Sequence, residues 1–163
     1  TEAVKLLLVL LISWIYIMAF FSLAAFLSLS MRSLSNALIV AFTIWLVFVL
    51  ILPQIGDTMD PDNQVPGGFF KSIHFNKEQE KQVIARFGSY ETARNFIEEL
   101  SVTKHFERAS FALLGIKPEF NGLPVPDILG QKWFDILLVM LFFAAGIFAD
   151  YSVLNKKDIL VWD

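Results

Sequence analysis

Hydrophobic and polar positions are segregated along this chain, and three long apolar blocks stand out. The first runs from about Val4 to Leu29, broken only by Lys5 at its edge and by hydroxyls such as Ser13, Ser22 and Ser28. The second runs from about Asn36 to Leu52 and holds no charge: ALIVAFTIWLVFVLIL. The third, from about Trp133 to Leu154, has ILLVMLFFAAGIFA at its centre, with Asp135 and Asp150 near its ends. A helix needs about 20 apolar residues to cross the hydrocarbon core of a bilayer. Each block is therefore predicted to be a transmembrane helix. Pro53 closes the second, because the residue before a proline is steered away from helix. The first is not a signal peptide: a signal's apolar region is only about 7–15 residues, and no small-residue cleavage site follows it. Trp14 and Tyr16 lie well inside the first span, which suits either lipid-facing aromatics or contact with a neighbouring helix. Asp135 and Asp150 read as interfacial carboxylates that reach toward water. Trp133 reads as an interface anchor.

Between the second and third blocks the pattern changes. The stretch QIGDTMDPDNQVPGGFF gathers Asp57, Asp60 and Asp62 among prolines and glycines that call for turns. It begins like a calcium loop but lacks the glycine and closing glutamate at the required spacing, so it reads as a solvated acidic loop. Phe69 and Phe70 either dip into the membrane interface as anchors or seed a small domain. Helical periodicity then takes over. Asn76 with Gln79 three residues on fits a capping box, and Val83, Ile84 and Phe87 share a face. Gly88 breaks the run. Ser89 opens a second helix striped by Ala93, Phe96, Ile97 and Leu100. A third, from about Thr103, carries Phe106, Ala109, Leu113 and Leu114 and stops at Gly115 before Pro118, the expected stop signal. Glu119 to Gly130, with Pro124 and Pro126, reads as an extended loop. Some 60 residues is small for an independent core, so the short helices are expected to lean on the spans.

The predicted fold is an all-α membrane protein: a transmembrane hairpin over residues 1–53, a mostly helical segment over 54–132, and a last span with a short tail over 133–163. Arg32, Lys156 and Lys157 place the hairpin turn and the tail in the cytoplasm by the positive-inside rule. Residues 54–132 then lie outside the cytoplasm. Three crossings also put Thr1 outside, which is most simply explained by a missing upstream half. The turn SLSMRSLSNA is tight, and Met31, Arg32 and Ser33 at its tip form a candidate contact for a cytoplasmic partner. The plainer alternative is an arginine that only sets orientation.

Composition sharpens this picture. The chain is 56% hydrophobic and 18% charged, which excludes an ordinary soluble domain and also disorder. A net charge of −3 gives no sign of nucleic-acid binding. Cysteine is absent, removing disulfides, thiolate ligands and thiol nucleophiles. No catalytic motif appears. His74 and His105 do not form a zinc-helix pair and read as solvated. There is no nucleophile elbow and no phosphate-binding loop. Glu98 and Glu99 are adjacent on a helix and diverge, so they form no acid–base pair. The chain is read as a non-enzyme with no cofactor of its own. No span carries charges that would mark an ion path. Small-residue stretches at Ala24-Ala25 and Ala144-Ala145-Gly146 would allow close helix approach.

The hairpin FFSLAAFLSLSMRSLSNALIVAFTIWLVFVLILPQIGD, the segment LSVTKHFERASFALLGI and the last span followed by YSVLNKKDIL resemble the C-terminal half of ABC-2 type transporter permeases. The likeness is to the subgroup with a large extracytoplasmic insertion, which includes gliding-motility and nitrous-oxide-reductase-maturation permeases. It covers nearly the whole chain and rests on pattern. It implies a prokaryotic cell-membrane permease subunit with six spans, of which these would be the fourth to sixth. It also implies ATP and magnesium bound by a separate ABC ATPase subunit, a second permease copy or paralogue as partner, and transport or mechanical work driven by that ATPase. The family's main coupling helix would lie in the absent half, leaving Ser30–Ser35 as a secondary contact. The alternative reading is a membrane-anchored module that binds an extracytoplasmic protein through residues 54–132.

Overall fold

The computed structural model describes residues 2–59, 68–86 and 88–161. Among them every regular element is helical. In chain order these are α1 (Glu2–Ser30), α2 (Leu34–Leu46), a π-helical stretch (Val47–Ile51), α3 (Leu52–Met59), α4 (Phe69–Ser72), α5 (Lys77–Arg86), α6 (Gly88–Leu100), α7 (Val102–Leu113), a 3-10 turn (Pro118–Phe120) and α8 (Val125–Val161). Three helical runs are long and apolar enough to cross a membrane: Glu2–Ser30, Leu34–Met59 and Val125–Lys156. The chain forms two compact units, Thr1–Leu46 with Val102–Asp163, and Val47–Ser101.

In the first unit, α1 and α8 pack along each other. Phe20 meets Phe142 at 5.6 Å between ring centroids, and Ser22 meets Gly146, so contacts ascend together and the helices run parallel. The first and third passes of a three-span chain must have this relation. Helix α2 returns antiparallel to α1 after the turn Met31–Ser33. Helix α7 lies antiparallel against both α1 and α8. Its buried face is set by Ala109, Ala112 and Leu113, of which Ala112 and Leu113 join Ile12, Phe120 and Ile128 in one core cluster. The end of α7 is a Schellman motif: the Gly115 N–H donates to Ala112 O at 3.2 Å, the Ile116 N–H donates to Phe111 O at 3.0 Å, and Gly115 takes φ 64°. Hydroxyls along the spans donate back to their own helix, Ser13 to Val9 O at 2.7 Å and Ser22 to Ala19 O at 2.9 Å. That satisfies them where no water is available.

In the second unit, α6 packs on α3. A Cβ at Gly56 would come within 2.8 Å of the Glu98 Cγ, so glycine permits the approach. The capping box at α5 is present: the Gln79 N–H donates to Asn76 Oδ1 at 2.9 Å, and the Asn76 N–H donates to Gln79 Oε1 at 3.0 Å. The Ser101 hydroxyl donates to Phe48 O at 3.3 Å, satisfying a carbonyl in the π-helical stretch.

Two expectations about proline are corrected. Pro53 does not end the second span, for the helical run continues to Met59. Proline lacks the N–H that would bond to the carbonyl four residues back, and its ring presses on that carbonyl. The turn widens to a π-helix over Val47–Ile51 immediately ahead of it, which absorbs the mismatch. Residues 125–130 are not loop either. A turn closed by the Leu123 N–H on Phe120 O at 3.3 Å, with Gly122 at φ 77°, leads directly into α8. The N–H groups of Asp127 and Ile128 bond to Pro124 O at 3.2 and 3.3 Å, and Pro126 falls in the first turn, where no N–H is needed. Helix α8 thus begins eight residues before Trp133. Asp60, Asp62 and Phe87, together with the side chains of Ser89 and Lys157, lie outside the described residues.

Candidate functional site

The most polar buried spot in the first unit is where α7 meets α8. On α7, His105, Ala109, Ala112 and Leu113 recur at helical spacing and turn inward. On α8, Ile128, Asp135 and Val139 do the same. These two stripes bring His105 against Asp135: the ring Nδ1–H donates to Asp135 Oδ1 at 2.7 Å, with side chains 1% and 10% exposed. Lys132, one turn earlier on α8, places Nζ 3.5 Å from Asp135 Oδ2, and Arg108 places Nη1 4.0 Å from Oδ1. The Lys132 ammonium also sits over the Phe120 ring at 5.3 Å, and the His105 ring meets Phe134 edge-on at 6.0 Å. One carboxylate thereby joins three side chains from two helices. The expectation of a solvated His105 is overturned, and so is that of Asp135 as a carboxylate reaching for water. Both groups lie on faces that are otherwise apolar, where a polar side chain is retained only with a partner.

One helical level away, Tyr16 on α1 completes the docking of α7. Its hydroxyl is 2.9 Å from Thr103 Oγ1, and its ring stacks on Phe106 with centroids 4.5 Å apart. The two aromatic residues of the first span divide between the two readings offered for them: Tyr16 contacts a neighbouring helix, whereas Trp14 is 57% exposed. The only signal in the sequence was Asp135 near the start of the last apolar block, since His105 reads as an ordinary polar residue of its helix. Nothing local showed that the two, thirty residues apart, met each other.

The hairpin tip is built as a capped turn. The Asn36 N–H donates to Ser33 Oγ at 3.4 Å, so Ser33 is the N-cap of α2. Arg32 and Ser33 are exposed and Met31 is half-buried. Trp133 is 60% exposed beside Phe134. Phe69 is partly exposed, but Phe70 is buried, with ring contacts to Phe69 at 5.5 Å and Phe75 at 6.2 Å. Asp150, deeper in α8, has Oδ1 buried without a hydrogen-bond partner. A groove of about 190 Å³ between α1 and α8, with Ala19, Phe26, Phe142 and Gly146 in its walls, is almost wholly apolar. Among the described residues no three His, Asp or Glu side chains converge as a metal site.

Residues 1–159 match the family described as ABC-2 family transporter protein. The chain belongs to that family. No curated protein and no solved structure matches it. Family and helices together make this a membrane-embedded, permease-type component of an ABC transporter. The match is to the family as a whole and singles out no subgroup.

Proposed function

We propose that this chain is the membrane-spanning permease subunit of an ABC transporter and couples ATP hydrolysis on a separate subunit to transport or mechanical work. The observation that carries the reading is the family match over residues 1–159, joined to three span-length apolar helices. In this reading ATP and magnesium belong to the partner ATPase and the chain itself is not an enzyme. Residues between the second and third spans lie outside the cytoplasm of a prokaryotic cell. A second copy or a paralogue completes the translocation path. The resemblance of the hairpin, the α7 segment and the last span, with the large insertion before it, supports a place beside the gliding-motility and nitrous-oxide-reductase-maturation permeases.

Met31, Arg32 and Ser33 serve as a contact for the ATPase on the cytoplasmic face, while Trp133 and Phe69 anchor the opposite interface. Nucleotide-driven closure of the ATPase then shifts the spans as rigid bodies between two arrangements. Because α7 is buried against α1 and α8, part of the intervening segment moves with them, which speaks against a freely tethered binding module. The test is isolation of the full-length protein from its host in mild detergent. An ATP-hydrolysing subunit is expected to co-purify, and its yield to fall in Arg32→Glu without being abolished, since the hairpin tip is a secondary contact. Isolation of the intact protein without such a subunit overturns the reading.

A further inference from the structure

Helix α6 is packed inside out. Its more buried side is Arg94, Ile97 and Glu98, at helical spacing. Glu98 lies on Gly56 of α3, and Arg94 Nε is 3.4 Å from Glu98 Oε1. The apolar stripe of Ala93, Phe96 and Leu100 points elsewhere and is exposed. A helix in water turns such a stripe toward the protein. Apolar side chains facing outward, with an ion pair turned inward, are the arrangement that hydrocarbon surroundings require.

Two contacts, one in each unit, set the depth at which α6 ends and α7 begins. Ser101, directly after α6, donates its hydroxyl to Phe48 O at 3.3 Å, and Phe48 belongs to the second span-length run, Leu34–Met59. Thr103, near the start of α7, has Oγ1 2.9 Å from the Tyr16 hydroxyl in the first run, Glu2–Ser30. Phe48 is fourteen residues on from Leu34, and Tyr16 is fourteen before Ser30. Each contact therefore stands about 21 Å along its helix from the hairpin turn, within the roughly 30 Å of a hydrocarbon core. Irregular backbone at such a depth is tolerated only when enclosed by protein. Ser101 meets that condition: it is fully buried, and its N–H donates to Glu98 O at 3.0 Å.

We propose that α6 re-enters the half of the bilayer remote from the hairpin turn, and that Phe96 and Leu100 form a contact surface for phospholipid acyl chains. The other exposed side of α6, with Thr92, Asn95 and Glu99, is polar and faces water. The helix thus lies along a lipid–water boundary, as interfacial amphipathic helices do. Ser101 is the inner limit of the dip, and α7 carries the chain back toward the cluster of Ile12 and Leu113. The inference rests on the chain crossing a bilayer and is independent of any coupling to an ATPase.

The test uses the full-length protein, free of native cysteine in residues 1–163, in phosphatidylcholine nanodiscs. A fluorophore is placed singly at Phe96→Cys, Leu100→Cys, Asn95→Cys and, as a reference for hydrocarbon, at the exposed Ile17→Cys of the first span. Each is read with lipids brominated on the acyl chains and with aqueous iodide. The labels at Phe96→Cys and Leu100→Cys are expected to lose fluorescence to acyl bromine as fully as that at Ile17→Cys, and to resist iodide. The label at Asn95→Cys is expected to answer iodide. Either stripe position decides the matter if the other variant does not fold. Iodide quenching at the stripe, with acyl quenching intact at Ile17→Cys, overturns the inference and leaves the three crossings and the proposed function standing. A stripe reached by neither quencher is covered by protein, such as a second copy, and overturns it as well. Loss of acyl quenching at Ile17→Cys and the stripe together overturns the crossings with it.

Discussion

Helices α6 and α7 follow each other with only Ser101 between them, and both are amphipathic, yet they are held differently. The stripe of α7 is buried: Ala109, Ala112 and Leu113 are fully enclosed and His105 is tied to Asp135. The stripe of α6 keeps Phe96 64% exposed and Leu100 half-exposed, while Glu98 packs against Gly56. The units to which they belong differ in the same way. Among the described residues, Pro53 and Phe70 are the buried apolar side chains that fall in Val47–Ser101. That unit relies on a capping box, an aromatic trio and backbone bonds at helix ends. The unit that holds the first and last spans relies on enclosed side chains. Amphipathicity states that a helix has a face to bury; what lies opposite decides how much stability follows.

The contrast can be broken most severely at the junction. Asp135→Ala leaves His105, Arg108 and Lys132 around an empty position and is expected to cost about 3–5 kcal/mol, measured by unfolding in detergent. Leu113→Ala opens a cavity in the enclosed core, with an expected loss of roughly 2–5 kcal/mol on the same assay. Gly146→Val attacks the parallel contact of α1 and α8. A Cβ there would overlap the Ser22 hydroxyl and stand 3.8 Å from Ala19 O, so a destabilisation of about 1–3 kcal/mol is expected. The smallest effect falls in the other unit. Asn76→Ala removes the cap of α5 and is expected to cost about 1 kcal/mol, seen as faster amide exchange confined to 77–86. Faster exchange in α7 as well would contradict an effect confined to the α5 cap.

Much of this architecture was legible in the residues. Uncharged runs of span length can only satisfy their backbone as helices, so the three crossings followed from length and polarity. Asn76 with Gln79, and Gly115 before Pro118, are local signals whose bonding partners lie within a few residues, and both hold. The prolines misled because their effect depends on helix position. Pro126 occupies a first turn that needs no N–H, and Pro53 is accommodated by a wider turn ahead of it. The junction was hidden for a different reason. His105 and Asp135 are ordinary residues in their own neighbourhoods, and only the antiparallel packing of α7 on α8 makes them partners. The hairpin tip was found in sequence as a tight turn, but the role of Ser33 as a cap for α2 emerges only from its bond to Asn36.

The central claim is that the chain crosses the bilayer three times, with the segment between the second and third spans on one side and the hairpin turn and tail on the other. The chain has no cysteine, so single cysteines can be placed without a background. Arg32→Cys, His74→Cys and Lys156→Cys, each probed in intact cells with a membrane-impermeant thiol reagent, test it directly. The account predicts that His74→Cys is labelled from outside, while Arg32→Cys and Lys156→Cys react only after the cells are opened. Labelling of Arg32→Cys and His74→Cys from the same side would contradict it.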